Sequence, residues 1–395
     1  MSSQIYDEKI LQGWEVVRLG DICDVRDGTH DSPKYTDFGI PLITSKNIVN
    51  GNLDLTDISY ITQSDADKIN ERSKVDINDI LMSMIGTIGN AILVNKIPNF
   101  CIKNVALFKP NHSKISAVFL VQLIQNKIFK NILNISLDGG IQKFISLWNL
   151  RNLEIFLPKD KVEQERIAQV LGDMDELISA KCKLLDKKRA IKQAAAQQLL
   201  TPKPHWHTTT LGNVGEIITG STPSTTNEKF WNGEIAWITP TDIGDKKDIF
   251  IGERSITQDG LKAIRELPAN SLLVTCIASI GKNAILKVKG SCNQQINALI
   301  PNKNFNVDFL YYLLEFEKER LKNLAGITAT LIVSKALFSK FEISYPNFAE
   351  QTKIAQILSD MDDEISALQD EIEKLKMIKQ GAMDELLSGK IRLKG

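Results

Sequence analysis

Few residues in this chain have the types and the spacing that catalysis requires. His30 follows Gly28 and Thr29 and is a candidate general base, but no nucleophile or carboxylate partner for it is evident in the sequence. The glycines at 86–89 lack the GxGxxG frame of a dinucleotide loop, and the chain has no GxxxxGK(S/T) loop for ATP. The charged residues at 371–374 are typical of a solvated helix face. The sequence therefore predicts no catalytic centre.

Composition argues against several classes of protein. The five cysteines form no CxxC pair and the four histidines form no HxxxH pair, so we expect neither a metal site nor a disulfide framework, and we predict a cytoplasmic location. The polar start does not resemble a secretory signal, and the apolar stretch at 80–94 is too short to span a membrane. Basic and acidic residues balance at 48 each, so the whole-protein basic field common in nucleic-acid binders is absent.

One helical phrase occurs twice in the chain and predicts the elements that organise it. Residues 167–178 and 354–365 agree at eight of twelve positions. Before each copy, an Asp or Asn is followed by Glu three residues later, which is the spacing of a capping box. Pro202 follows the first helical pattern and Gly389 follows the second, and both residue types end helices. We therefore predict two helices of about 40 residues, each about 60 Å long at 1.5 Å per residue.

Each predicted helix has an apolar stripe broad enough to need a partner. The predicted pairing residues follow a heptad and are Ile167, Met174, Leu184 and Ile191 in the first helix and Ile354, Met361, Leu368 and Leu375 in the second. Lysines concentrate in the late half of the first helix and acidic residues in the early half of the second. Antiparallel pairing would bring these charges together. The alternative is that each helix packs only on its own domain.

The segments that precede the two helices also repeat. Trp14 and Gly28 match Trp206 and Gly220 at one constant offset. Each half combines short β-branched runs with one amphipathic helix, at about 116–134 and 307–323. The predicted fold class is mixed α/β (α+β), with two repeated globular domains and two long antiparallel coiled-coil helices. The predicted boundaries are 1–158 and 202–346 for the globular domains, and 159–201 and 347–395 for the helices. Equivalent scaffolds with different loops suggest binding sites for two related targets.

These features resemble the specificity subunit of type I restriction–modification systems. The resemblance rests on the duplicated helix phrase, on the ending LLSGKIRL at 386–393, and on the loop openings at 27–48 and 219–243. It implies that each globular domain, as a target-recognition domain, reads one half of a bipartite double-stranded DNA sequence. It also implies that the helices set the spacing between the halves and dock two methyltransferase subunits, and that restriction/translocase subunits join for cleavage.

The resemblance implies that this subunit is not catalytic by itself. S-adenosylmethionine, and ATP with Mg²⁺ for restriction, are expected on the partner subunits. In agreement, the chain has neither a glycine-rich cofactor turn nor the Asn/Asp-Pro-Pro-aromatic segment of an adenine methyltransferase. Two alternatives remain at this point: the same design serving a fused restriction–methylation polypeptide, or a coiled-coil adaptor between proteins that does not bind DNA.

Polar residues in glycine-flanked loops are the candidate DNA-binding residues, because they offer hydrogen bonds where the backbone can approach closely. In the first domain these are Thr29, His30, Lys34, Ser45, Lys46, Asn47, Thr87, Asn104, Gln142 and Lys143. In the second domain they are Ser221, Thr222, Ser224, Thr225, Thr241, Lys282, Asn283, Gln294, Gln295 and Thr328. We expect the equivalent tryptophans, Trp14 and Trp206, to anchor the cores instead.

Overall fold

The computed structural model describes residues 12–49, 51–135, 137, 144–244, 246–325 and 332–393. The chain divides into two compact units, which we call unit 1 (residues 1–182 and 371–395) and unit 2 (residues 183–370). The described helices are α1 (Leu19–Ile22), α2 (Gln63–Ser73), α3 (Ala117–Gln125), α4 (Lys127–Ile135), α5 (Leu147–Asn152), α6 (Lys161–Leu200), α7 (Leu211–Val214), α8 (Gln258–Lys262), α9 (Val307–Phe316), α10 (Lys318–Lys322), α11 (Lys335–Ser339) and α12 (Phe348–Leu386).

The described part of unit 1 contains two four-stranded sheets and two strand pairs. Its strands are β1 (Trp14–Arg18), β2 (Cys23–Asp27), β3 (Tyr35–Thr36), β4 (Ile40–Ile43), β5 (Ile48–Val49), β6 (Asn52–Leu53), β7 (Ser59–Ile61), β8 (Ile80–Ser83), β9 (Ala91–Leu93), β10 (Cys101–Ile102), β11 (Val105–Pro110) and β12 (Glu154–Pro158). One sheet has the order β2-β11-β8-β9 and is antiparallel, and the other has the order β10-β4-β7-β3. Strands β1 and β12 pair antiparallel, and β5 pairs with β6.

Unit 2 repeats this plan. Its strands are β13 (His207–Thr210), β14 (Gly215–Thr219), β15 (Trp231–Ile238), β16 (Asp248–Ile249), β17 (Arg254–Ile256), β18 (Ser271–Thr275), β19 (Asn283–Leu286), β20 (Gly290–Cys292), β21 (Ile296–Pro301) and β22 (Glu342–Tyr345). The main sheet has the order β14-β21-β18-β19-β16, the smaller sheet β17-β15-β20, and β13 pairs with β22. The mixed fold and its internal repeat, both predicted from the sequence, are confirmed.

The two long helices belong to the cores of both units. In unit 1, Ile167 and Leu171 of α6 and Met383 of α12 pack in one cluster with Trp14 and the fully buried Phe119. In unit 2, the end of α6 and the start of α12 pack in the same way around Phe309, with Trp206 at the edge of the cluster. Burial of these apolar faces stabilises helices that propensity alone would leave marginal. Both tryptophans anchor the cores, as expected.

Ion pairs confirm that the helices run antiparallel. In unit 1, Lys181 Nζ lies 2.8 Å from Glu371 Oε1, and Lys379 Nζ lies 2.6 Å from Asp175 Oδ1. In unit 2, Lys188 Nζ lies 2.5 Å from Glu364 Oε2, and Lys192 pairs with Asp362. Residue numbers rise along α6 as they fall along α12. The helices therefore pack together, and the interpretation that each helix packs only on its own domain is wrong.

The buried stripe follows the predicted heptad only in part. Of the predicted pairing residues, Ile167, Ile354 and Leu368 are buried and Met174, Met361 and Leu375 are half-buried, but Leu184 and Ile191 are 41% and 50% exposed. Leu185 is buried instead of Leu184. A straight helix drifts by about 20° per heptad relative to a strict seven-residue repeat. Leu184 and Ile191 lie in the series counted in sevens from Val170, and positions counted in this way rotate away from the partner helix.

Three local expectations need correction. Asp160 Oδ1 accepts the Val162 N–H at 2.9 Å and caps α6, but the Glu163 carboxylate binds Arg392 instead of closing a capping box. The amphipathic segment predicted as one helix at about 307–323 is two helices, α9 and α10. The segment predicted as one helix at about 116–134 is also two helices, α3 and α4. Asn126 separates them because its backbone is extended and its side chain accepts the Ile128 N–H at 2.7 Å.

Candidate nucleic-acid interface

Equivalent loops follow β2 in unit 1 and β14 in unit 2, each of which is an edge strand of a larger sheet. Gly28 and Gly220 begin these loops, and a Cβ atom would lie 2.3 Å from Ile102 O at Gly28 and 2.0 Å from Asn293 O at Gly220. Glycine is required here because a neighbouring backbone approaches too closely for any side chain. The close approach lets the next residue donate its backbone N–H to the end of a neighbouring strand. Thr29 donates to Ile102 O of β10 at 3.1 Å, and Ser221 donates to Cys292 O of β20 at 2.8 Å.

In unit 1, the structure brings four of the predicted residues together: Thr29, His30, Ser45 and Asn104. His30 Nδ1 lies 2.7 Å from Asn104 Oδ1, and the Ser45 hydroxyl donates to Asn104 O at 3.1 Å. Thr29 forms a parallel bridge with Lys103. Asn104 has a φ of 53°, a left-handed conformation that asparagine tolerates better than most residues. Residues from three separate segments therefore meet at one polar surface.

His30 has a carboxylate partner, contrary to the expectation from the sequence. Its Nε2 atom lies 2.7 Å from Oδ2 of Asp27, the last residue of β2, whose side chain is buried. The hydrogen bond to Asn104 and the hydrogen bond to Asp27 raise the pKa of His30 above its ordinary value, against the opposing effect of burial. Both ring nitrogens face oxygen acceptors, an arrangement that suits the imidazolium, which donates two hydrogen bonds.

In unit 2, equivalent positions carry neutral side chains. The Thr222 hydroxyl donates to Gln294 Oε1, so this pair occupies the place of His30 and Asn104. The Ser221 hydroxyl accepts the Arg265 N–H at 3.0 Å. Gln295 is exposed beside Gln294. The structure therefore brings Ser221, Thr222, Gln294 and Gln295 together, on the same loops as in unit 1 but with different chemistry.

Other predicted residues of unit 1 lie away from this cluster or are engaged. Asn47 is buried, accepts hydrogen bonds from Thr44 at Oδ1 and donates through Nδ2 to two backbone carbonyls, so its amide organises a loop. Lys46 pairs with Asp57 at 2.7 Å. Lys34 and Thr87 are exposed in loops. Gln142 and Lys143 lie outside the described residues.

The remaining predicted residues of unit 2 are also dispersed. Ser224, Thr225, Thr241 and Lys282 are exposed, and the Thr241 hydroxyl lies 2.7 Å from the Thr239 hydroxyl. Asn283 is buried, and neither polar atom of its side chain has a hydrogen-bond partner. Thr328 lies outside the described residues.

The structure adds residues that the sequence did not single out. Asp27 also accepts a hydrogen bond from Arg72, which is 45 positions away. In unit 2, Arg265 donates to Thr219 O at 2.8 Å. Arg254 stacks on Trp231, with 3.7 Å between the guanidinium carbon and the ring centroid. The sequence signal for Asp27 is the internal repeat, in which Asp27 and Thr219 occupy corresponding positions. The arginines have no local signal, since their partners are distant in sequence.

Neither a metal cluster nor a membrane span is found in the part of the chain that the structure describes. No three His, Cys, Asp or Glu side chains in these residues come together as metal ligands. No helix among them is both long enough and apolar enough to cross a bilayer. What the geometry offers instead is a pair of polar loop surfaces, one in each unit, on a repeated scaffold with paired helices. This arrangement defines a protein built from two related domains, each of which presents a polar loop surface.

Comparisons with known proteins agree with this class. The model of the type I restriction modification DNA specificity domain matches residues 12–187 and again 204–377. The chain belongs to this family, and it is the non-catalytic DNA specificity subunit of a type I restriction–modification system. A Methanocaldococcus jannaschii protein assigned as the MjaX specificity subunit of a type I restriction enzyme is 27% identical, over 98% of this chain and 95% of its own length.

Two further similarities extend the comparison. The Escherichia coli type I restriction enzyme EcoR124I/EcoR124II specificity subunit is 30% identical over 56% of this chain and 58% of its own length. A crystal structure of the type I restriction–modification S subunit from M. genitalium superposes with a TM-score of 0.63 over 94% of this chain and 96% of that one. Sequence identity to the latter is 16%, so this likeness concerns the fold.

Proposed function

We propose that each unit reads one half of a bipartite double-stranded DNA target through the loops after β2 and β14. The observation that carries this proposal is the pair of equivalent polar contacts, His30 with Asn104 in unit 1 and Thr222 with Gln294 in unit 2. A scaffold kept constant while the side chains at one position differ is what two related but unlike targets require. The candidate DNA-binding residues remain predictions, and these four mark the equivalent places on the two loops.

The partners follow from the same proposal. Two methyltransferase subunits dock on the protein and modify adenine in the target, and restriction/translocase subunits join for cleavage. S-adenosylmethionine binds to the methyltransferase subunits, and ATP with Mg²⁺ binds to the restriction subunits. This chain selects the DNA sequence and directs the partners to it. The polypeptide that carries the nuclease is either separate from the methyltransferase or fused to it.

A DNA-binding experiment tests the proposal. The chain is mixed with its methyltransferase partner and a random double-stranded DNA pool, and bound DNA is selected by gel shift at several salt concentrations. We expect enrichment of two short motifs at a fixed separation, and an affinity that falls as salt rises because phosphate contacts release counterions. Absence of any enriched sequence at low salt would reject DNA recognition and favour an adaptor that binds only proteins.

We also propose that α6 and α12 set the spacing between the half-targets, since the boundary between the units falls inside both helices. Four helix-favouring residues inserted between Ala180 and Lys192 add about 6 Å and a net rotation of about 40°. One base pair rotates DNA by about 34°. One added base pair therefore nearly matches the rotation of the inserted residues. Because hydrogen bonds tolerate little angular error, we expect this match to decide, and the spacer between the half-targets to be longer by one base pair. Mapping of methylated sites measures the spacer. An unchanged spacer would refute this proposal.

A further inference from the structure

Arg72 and Arg265 occupy corresponding places in the two units. Arg72 lies at the end of α2, and Arg265 lies three residues after α8, the helix that follows β17 as α2 follows β7. Arg72 Nη2 donates to Asp27 Oδ1, and Arg265 Nη1 donates to Thr219 O. Asp27 and Thr219 are the last residues of the equivalent strands β2 and β14. Each arginine is therefore held beside the recognition loop of its own unit.

The two arginines are held differently. Asp27 holds Arg72 through a carboxylate that is only 4% exposed and that also binds His30, so this anchor is charged and fixed. Thr219 holds Arg265 through a neutral backbone carbonyl. Both bonds have a charged donor, but only the contact of Arg72 joins two opposite charges, so Arg72 is the more firmly oriented of the two.

Arg72 has donors to spare at an open surface. A guanidinium carries five N–H donors, and among the described residues only Asp27 accepts one from Arg72. Its side chain is largely exposed and lines a cleft of about 430 Å³ together with Thr29, His30 and Lys68. Both ring nitrogens of His30 are already engaged, so His30 fixes the loop, whereas Arg72 keeps a planar set of donors for a ligand.

The charges around the cleft favour a base edge over a phosphate. The basic side chains that line it are His30, Lys68 and Arg72, and the acidic ones are Asp31 and Asp65, with Asp27 buried behind them. Three acidic groups thus offset three basic groups, and the cleft lacks the positive field that a phosphate contact exploits. The planar guanidinium of Arg72 is held on one side by the Asp27 carboxylate. Its remaining N–H donors suit a neutral partner that accepts two parallel hydrogen bonds. Guanine offers such a pair, O6 and N7, in the major groove.

We propose that Arg72 determines specificity in unit 1 by donating two hydrogen bonds to a guanine of its half-target, with Asp27 as the positioning residue. This inference rests on the proposed function. Arginine is needed because lysine, a point charge on a flexible stem, cannot make the bidentate contact. Orientation by Asp27 before binding reduces the entropy lost when the complex forms.

The test compares the variants Arg72→Ala, Arg72→Lys and Lys74→Ala in the complete methyltransferase complex. Lys74 carries the same charge two residues away, outside the cleft, and pairs loosely with Asp76 at 3.8 Å. Each complex modifies a library with every base at every target position, and sequencing reports the rate at each site. Thermal unfolding checks that each variant is folded.

We expect both Arg72 variants to lose preference for one guanine in one half-target by about ten- to a hundredfold, with the other half unchanged. Lys74→Ala keeps that preference, and so does Arg265→Ala, the matched variant in unit 2. The slope of affinity against salt stays the same in Arg72→Ala.

Two results would overturn the inference. A phosphate contact would make Arg72→Ala weaken all sequences equally and lower the salt slope by about one, while Arg72→Lys kept the preference. No change in either Arg72 variant would show that the arginine does not contact the target. Failure of the proposed function is distinct, because the unaltered complex would then show no preference at any position.

Discussion

The two units share one scaffold, but different side chains pair with the glutamate near the start of each long helix. The third residue of each long helix is a glutamate, Glu163 in unit 1 and Glu350 in unit 2. Glu163 is 1% exposed and receives two hydrogen bonds from Arg392, both at 2.6 Å. Glu350 is 24% exposed and lies 2.9 Å from His205 Nε2 and 3.3 Å from Trp206 Nε1. The same position therefore carries a buried bidentate ion pair in one unit and an open, weaker network in the other.

A second equivalent contact differs in the opposite sense. In unit 2, the Tyr312 hydroxyl donates to Asp362 Oδ2 at 2.7 Å, and Lys192 completes the network. In unit 1, Gln122 Nε2 donates to Asp175 Oδ2 at 2.8 Å, but Gln122 Oε1 is buried and receives no hydrogen bond. The hydrogen-bonding groups are thus more fully paired in unit 1 at the glutamate position, and more fully paired in unit 2 at the position of Tyr312. A duplicated fold can keep its geometry while the interactions that stabilise it move from place to place.

The largest expected effect concerns the glutamate contacts. Arg392→Ala leaves a buried carboxylate without its cation, so we expect unit 1 to lose about 3 kcal/mol of local stability. His205→Ala removes an exposed partner of Glu350, and we expect unit 2 to lose less than about 1 kcal/mol. Hydrogen exchange of the strand pairs β1–β12 and β13–β22 measures each unit separately. Equal losses in the two units would show that burial does not distinguish the contacts.

The acid dependence of the same contact has a definite sign. Arg392 holds the pKa of Glu163 below its usual range. A carboxyl whose pKa is lowered by folding adds stability above its unfolded pKa, and this stability is lost as the pH falls through the folded value. The contribution to unit 1 should therefore persist at neutral pH, begin to fall near the unfolded pKa of about 4.3 and be lost at more acidic pH, and Arg392→Ala should remove this part of the dependence.

An intermediate effect is expected at the second contact. Tyr312→Phe removes a donor to Asp362 and should destabilise unit 2 by about 1–2 kcal/mol. Gln122→Met removes a donor to Asp175 together with the unsatisfied acceptor, so the two effects offset and unit 1 should change by less than about 0.5 kcal/mol. Hydrogen exchange, measured as denaturant concentration rises, compares the stability of the variants. A larger loss for Gln122→Met would mean that its amide is better satisfied than the structure shows.

The smallest expected effect is a pH dependence confined to unit 1. Folding raises the pKa of His30, so its contribution is complete below the unfolded pKa of about 6.5 and is lost as the pH rises through the folded value. Amide exchange at 28–31 should therefore accelerate between neutral and mildly alkaline pH beyond the intrinsic rate. The neutral pair Thr222–Gln294 should show no such change. Parallel behaviour of both loops would contradict the assignment of the imidazolium.

Much of the architecture could be predicted because it depends on local or repeated signals. The ends of α6 and α12 lie where Pro202 and Gly389 indicated, and the lysine and acidic clusters predicted the antiparallel direction. The exposed Leu184 and Ile191 were predicted as buried because a strict heptad ignores the drift of a straight helix.

The candidate site was less accessible to sequence reasoning. Its glycines and hydroxyl residues could be found from the repeat, since both loops need close backbone approach. The contacts of Asp27 with His30 and Arg72 depend on how distant segments fold together, and nothing in the local sequence of Arg72 indicates that contact. Asn47 was predicted to bind DNA because it is polar and lies in a loop. Its side chain is instead buried and holds the loop together by hydrogen bonds to the backbone.

The central claim is that each unit reads its own half of the target, and a domain exchange tests it most directly. Residues 205–346 are replaced by the equivalent segment of a relative with a known target, and methylated sites are mapped by sequencing in cells that supply the methyltransferase subunits. The account predicts a hybrid target in which one half is unchanged and the other half is that of the relative. Alteration of both halves, or of neither, would contradict it.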